Sequence, residues 1–257
     1  MTQTIAVFGD VHGNGRALKA ALTQAKTRGC DRMVFVGDLL TYGHDVTEVI
    51  DLVAEAQTKH DAELIIGNHD RMYFDLAAGN RAYYETLPAW LQASIDLTLE
   101  DPRTTSLADL KWSSAVQLDD RAVAGHGNPF GAEDWRYLNS DQDHIDAATA
   151  LAGRGMDVGV YGHTHRPRWY RERLVVPEFD VSLHGTRTTP IVINAGAIGQ
   201  PRDKSGRAIL LRLILSSEVA EATFETVAYD SRAHIAALSE LPLPATTIAQ
   251  LCRFFAT

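Results

Sequence analysis

Three short apolar runs, Ile5–Phe8, Met33–Val36 and Leu64–Ile66, end on glycine, and an acid, amide or imidazole follows each time. The three endings are Gly9-Asp10-Val11-His12, Gly37-Asp38 and Gly67-Asn68-His69-Asp70. Runs apolar on both faces are the mark of strands buried in a parallel sheet. Between the first two, Asn14 reads as an N-cap, Leu18, Ala21, Leu22 and Ala25 as one helix face, and Gly29 as its stop. Between the second and third, Asp45 and Glu48 form a capping-box pattern ahead of Val46, Val49, Ile50 and Val53. Consecutive βα units place polar strand ends at the carboxyl edge of one sheet, where open α/β folds bind ligands. Any one of these acids is more simply a helix cap; three in register argue for a site.

Asp10 and His12 lie two apart, so an extended segment turns both heads to one side, where Asp oxygen and His nitrogen suit Mn, Fe or Zn. Further along, Val116–Leu118 and Ala122–Ala124 read as strands around an Asp119-Asp120 turn and lead to His126. A helix from Asp141 or Asp143 to Gly153 precedes the strand Val158–Tyr161, which runs into Gly162-His163-Thr164-His165. Ile191–Ile193 leads to a glycine-rich segment ending in Arg202-Asp203, and Ala208–Leu215 with Ala222–Val227 reads as completing a second sheet. One or two covering helices follow Ser231, interrupted by Pro242 and Pro244. Residues 71–113 carry aromatics and leucines at helical spacing and read as a helical insertion, its aromatics in the core, its start beside the site. The arginines at 166, 168, 171 and 173 alternate along a strand and read as a solvated edge.

Composition narrows the function. With 45% hydrophobic and 22% charged residues, the 257-residue chain is expected to form one globular domain. A formal net charge of −9 argues against a nucleic-acid-coating protein. Cys30 and Cys252 form neither a metal cluster nor a disulfide framework, and no apolar run approaches the ~18 residues of a membrane span. A cytoplasmic protein is expected.

Taken together, Gly9-Asp10-Val11-His12-Gly13, Gly37-Asp38, Gly67-Asn68-His69-Asp70, Gly125-His126 and Gly162-His163-Thr164-His165 resemble the five motifs of the calcineurin-like metallophosphoesterase superfamily. The finer features Gly37–Gly43, His126–Pro129, His165–Pro167 and Asn194–Asp203 look like its small prokaryotic phosphodiesterase branch. The resemblance implies an α/β, four-layer αββα sandwich with two mixed β-sheets and the metal site at the carboxyl edge of the strands. It also implies two divalent transition-metal ions, Mn foremost, with Fe, Zn or Ni as alternatives. Asp10, His12, Asp38 and His165 would hold one ion; Asp38, Asn68, His126 and His163 would hold the other, Asp38 bridging. His69 matches the family's non-ligand histidine at the leaving oxygen, and Asp70 would orient its ring. The implied reaction is hydrolysis of a small phosphorylated substrate by in-line attack of a metal-bridging hydroxide. Where protein phosphatases carry Asp-Arg before the glycine of the second motif, this chain has Thr41-Tyr42-Gly43, which disfavours a phosphoprotein substrate. Arg202 is the arginine nominated for the phosphate instead. The alternatives are a nuclease of the same superfamily and a catalytically idle protein-binding scaffold, the second opposed by the presence of every expected ligand.

Overall fold

In the first strand Ile5 and Val7 point one way and Ala6 and Phe8 the other, and none has accessible surface. A strand apolar on both sides has to be covered on both sides, and this requirement sets the layering. The computed structural model describes residues 2–255. Along the chain run β1 (Gln3–Phe8), α1 (Gly15–Thr27), β2 (Arg32–Phe35), α2 (Val46–His60), β3 (Glu63–Ile65), α3 (Asn68–Ala77), α4 (Ala89–Glu100) and β4 (Trp112–Ser113). After them come β5 (Val116–Asp119), β6 (Ala122–Ala124), α5 (Asp141–Gly153), β7 (Val158–Tyr161), β8 (Arg168–Arg171) and β9 (Arg173–Val175). The remainder is β10 (Ser182–Thr186), β11 (Ile191–Asn194), β12 (Ala208–Leu215), β13 (Val219–Val227), α6 (Ser231–Ser239) and α7 (Ala245–Cys252).

Two mixed sheets result, ordered β10-β13-β12-β1-β2-β3-β4 and β5-β6-β7-β11-β8-β9. Ile5, Val7, Val34, Val36 and Ile65 meet Val116, Leu118, Val158, Val160 and Ile193 between the sheets. Ala6, Phe8, Met33 and Phe35 face the other way, onto Leu18, Ala21, Val49, Ile50, Ile95, Leu238 and Leu251 of the helices. Ala147 and Leu151 of α5 cover the outer side of the second sheet at Tyr161, Tyr170 and Val192. The layers are therefore helix, sheet, sheet, helix.

β1, β2, β3 and β4 are parallel neighbours, and so are β6, β7 and β11, which brings the carboxyl ends of both parallel sets to one edge. β12 and β13 do not complete the second sheet, as their position in the chain suggested. β12 pairs antiparallel with β1 and β13 with β12, extending the first sheet. The capping box at α2 is also absent: Asp45 makes no cap bond to its own helix, and its carboxylate accepts instead from Gly15 N at 3.1 Å. Asn14 does cap α1, accepting from Ala17 N at 3.0 Å. Among the described residues no helix is long and apolar enough to cross a membrane.

Candidate metal centre

The turns after the strands are tight enough to force side-chain-bearing residues into the left-handed backbone region. Asp10, His12, Asp38, His163 and His165 have φ of 42°, 46°, 55°, 66° and 56°. Thr41 (76°) and the neighbouring Tyr42 (68°) share it. Left-handed residues other than glycine are uncommon and cost free energy, and they concentrate where a site holds them in place. Asp10 and His12 thus converge by a route other than the extended one read from the sequence: both sit in turns, and their heads meet because the chain reverses. Glycine is needed where strands approach, as at Gly162, whose Cβ would stand 2.8 Å from Asp10 Oδ2.

Two groups of ligand atoms form at the sheet edges, each within 4.8 Å: Asp10, His12, Asp38 and His165, and Asp38, His126 and His163. Asp38 belongs to both. Asn68 joins the second group, its Oδ1 3.1 Å from His126 Nε2. The hydrogen bonds decide which ring nitrogens carry lone pairs. His12 Nδ1 donates to Leu40 O at 2.9 Å and His165 Nδ1 to Gln200 O at 2.7 Å. Their Nε2 atoms then face each other as acceptors only 3.1 Å apart. Two lone pairs aimed at one point repel unless a cation lies between them, so this donor set fits a divalent metal. His163 Nε2 donates to Trp135 O at 2.9 Å, leaving Nδ1 as its basic nitrogen.

The electrostatics agree. Burial holds His12 and His165 well below their ordinary pKa and brings His163 down to about 3, so these rings are neutral and able to ligate. Burial also raises Asp10, to about 8, with Asp38 adding repulsion. Burial would raise Asp38 too, but His126 and His69 beside it hold it well below the usual carboxylate range. His126 loses by burial and gains more from Asp38, ending at about 9. A proton on His126 and a bound cation are alternative answers to the same negative field.

His69 lies beside this cluster on the first turn of α3, its backbone N donating to Asp38 Oδ1 at 2.9 Å. Its Nε2 is 3.4 Å from the Tyr42 hydroxyl and its buried Nδ1 has no partner. Burial lowers it to about 4. The orienting role expected of Asp70 does not appear in the geometry. Its carboxylate accepts from the backbone N–H groups of Asp38 (2.7 Å), Leu39 (3.0 Å) and Gly67 (2.9 Å), so it fixes the loop under Asp38 and leaves the His69 ring alone. Arg202 reaches the rim, with Nη2 2.8 Å from Gln200 Oε1 and 3.4 Å from the Tyr42 hydroxyl. It has no carboxylate partner among the described residues.

Tyr42, Trp135 and Tyr137 were missed as site residues. Tyr42 packs edge-on against His12 and His69, with ring centroids 4.6 and 5.2 Å away, and Tyr137 stacks on His163 at 4.1 Å. Tyr42 was visible as the residue standing where a related family has arginine. Trp135 and Tyr137 lie in an irregular stretch with no periodicity to flag them. Of the aromatics expected in the core, Tyr73 and Tyr84 are there, while Trp90 stacks on Tyr42 at 6.2 Å and Tyr83 places its hydroxyl 3.4 Å from Asn68 Nδ2.

Comparison with known proteins is consistent along the chain. Residues 4–215 match the calcineurin-like phosphoesterase superfamily domain. An uncharacterized protein of Methanocaldococcus jannaschii is 26% identical over 205 residues, 79% of either chain. The crystal structure of a metallophosphoesterase from Sphaerobacter thermophilus has a TM-score of 0.72 at 25% identity, covering 97% of this chain and 98% of that one. A hypothetical protein from Pyrococcus horikoshii shares the fold, with a TM-score of 0.73 at 19% identity over 96% of this chain and 97% of its own.

Proposed function

The chain belongs to the calcineurin-like phosphoesterase superfamily, and from that premise we propose that this metal-dependent phosphoric ester hydrolase uses two divalent ions to cleave a small phosphorylated substrate. The observation that carries the reading is Asp38, a single buried carboxylate common to two adjoining ligand groups. Asp10, His12, Asp38 and His165 would hold one ion, and Asp38, Asn68, His126 and His163 the other. Two such cations neutralise the oxygens of an anionic ester and make hydroxide available near neutral pH. Imidazole nitrogens mixed with carboxylate and amide oxygens suit Mn foremost, then Fe, Zn or Ni.

The chain's own residues supply the rest. His69 is the general acid: an anionic ester beside the ring offsets the burial that otherwise keeps it neutral, and the imidazolium gives the proton on Nε2, the nitrogen facing the Tyr42 hydroxyl, to the departing oxygen and returns to neutral imidazole. Asp70 acts at one remove, holding the backbone beneath Asp38 through three N–H bonds. Arg202, tethered through Nε and Nη2 to Gln200 and not spent on a carboxylate among the described residues, donates to a phosphate oxygen through its remaining N–H groups. Tyr83, Trp90 and Tyr137 line the approach with aromatic surface, which favours a substrate carrying a base or sugar ring over a phosphoprotein. We read residues 1–257 as one domain of a cytoplasmic enzyme, with 71–113 as an insertion that shapes access.

A panel of cyclic nucleotides, dinucleotides, sugar phosphates, nitrophenyl esters and DNA oligomers, assayed with Mn, Fe, Zn and Ni, tests the proposal. A small ester should be the best substrate, and two equivalents of metal per chain should depend on the Asp38-centred ligands. Faster hydrolysis of DNA would make the enzyme a nuclease. Absence of turnover with substoichiometric metal would leave a binding scaffold.

A further inference from the structure

A third group of ligand atoms lies outside the centre. His44, Asp45 and His234 bring one ligand atom each within 4.8 Å of the others. His44 follows the Thr41–Gly43 turn, Asp45 precedes α2, and His234 comes from α6, about 190 residues further along. His234 has 0% exposure, and neither of its ring nitrogens has a hydrogen-bond partner. A neutral imidazole offers one donor and one acceptor, and burying both unpaired is costly and rare. His44 Nδ1 lies 2.8 Å from Asp45 Oδ1, and the other ring nitrogen of His44, Nε2, is also buried and unpaired. The two rings lie nearly parallel, 23° apart with centroids at 5.4 Å, and Phe255 closes the far side of His234 at 5.1 Å. A cleft of about 380 Å³ lined by His44, Leu97, Thr98, Asp101 and Leu241 leads to His44 from solvent.

We propose that His44, Asp45 and His234 form an accessory site for a borderline divalent cation, Zn²⁺ by preference. Two imidazoles and a carboxylate are a zinc donor set and a poor one for Ca²⁺ or Mg²⁺. Burial lowers His234 to about 4, so the ring is neutral and available. The ion fastens α6 to the turn that carries Tyr42, and so ties the C-terminal region to the rim of the catalytic centre.

The test separates this site from the centre by difference. The full-length protein is stripped with chelator and titrated with Zn²⁺, and then with Co²⁺, whose visible absorption reports a low-coordinate nitrogen-oxygen site. Metal per chain should fall by one equivalent relative to the unaltered protein in His44→Gln, and by the same single equivalent in His234→Phe, which keeps a buried ring. In the Asp38→Asn/His126→Ala/His165→Ala background, which removes an imidazole from each half of the centre as well as the shared carboxylate's charge, one equivalent should persist through mild chelation and disappear when His44→Gln is added. His44 is partly exposed, so that variant is informative even where His234→Phe fails to fold. Metal content unchanged in His44→Gln overturns the proposal whatever the stoichiometry of the centre. So does an equivalent in that background that survives His44→Gln.

Discussion

The two ligand groups share Asp38, yet they are built differently. In the group with Asp10, both imidazoles are anchored through Nδ1 to backbone carbonyls, Leu40 after β2 and Gln200 after β11, so the ring positions follow from the framework of the sheets. In the group with His126, that ring is anchored the same way, Nδ1 to Val36 O at 2.6 Å, but Asn68 sits on the first turn of α3 and His163 leans on Trp135 O, in an irregular stretch, with its ring stacked on a tyrosine that is 46% exposed. One half rests on the sheet framework throughout; in the other only His126 does, and His163 depends on loop residues that substitution can reach. The difference teaches where the two groups should part: substitutions around His163 should change metal affinity on that side and leave the Asp10 side as it is.

Asp38→Asn gives the largest expected effect, because it removes the charge common to both halves. Metal content should fall in each, and turnover should drop to background; two tightly bound ions with intact activity would show that Asp38 does not bridge. His69→Ala should leave both halves loaded. Its rate on alkyl esters should fall by about 10²–10⁴-fold, the usual worth of general-acid assistance, and by distinctly less on nitrophenyl esters, whose leaving group needs no proton. Equal losses on both substrates, with metal retained, would reduce His69 to an electrostatic role.

Asp70→Asn replaces an acceptor of three N–H bonds by a group that turns its own donor toward them. It should destabilise the fold by about 1–3 kcal/mol, read from chemical denaturation, and weaken both halves alike because Asp38 and Leu39 rest on it. Loss confined to one half would mean that Asp70 acts through something other than the shared loop. The smallest change is the sharpest probe of the comparison: Tyr137→Leu removes the ring stacked on His163. The second equivalent of metal should bind about 10-fold more weakly, at the low end of effects for residues supporting a ligand, while the first is unmoved. Calorimetric titration showing both equivalents weakened together would erase the distinction between the halves.

The strand-and-turn grammar was legible because it is local. Val158–Tyr161 and Ala208–Leu215 are strands with the bounds read from the sequence, and the edge that collects Asp10, Asp38 and Asn68 follows from three successive parallel βα units. The residues that gather at this edge could be named from the sequence too, because most stand directly after a strand and its glycine; their grouping around two ions rested on the family resemblance. Tertiary structure alone decided what those residues touch. β12 and β13 joined the first sheet because their register is set against β1, some 200 residues away, and an alternating pattern fits either sheet equally. Asp70 went to backbone N–H groups because burial leaves a carboxylate no choice but to satisfy the nearest donors. The left-handed turns at Asp10, His12, Asp38, His163 and His165, the carbonyl of Trp135 behind His163, and the meeting of His44 with His234 all arise from contacts between distant segments. A linear sequence determines which groups stand at the ends of its strands; only packing determines the direction in which each one points and the partner that remains for it.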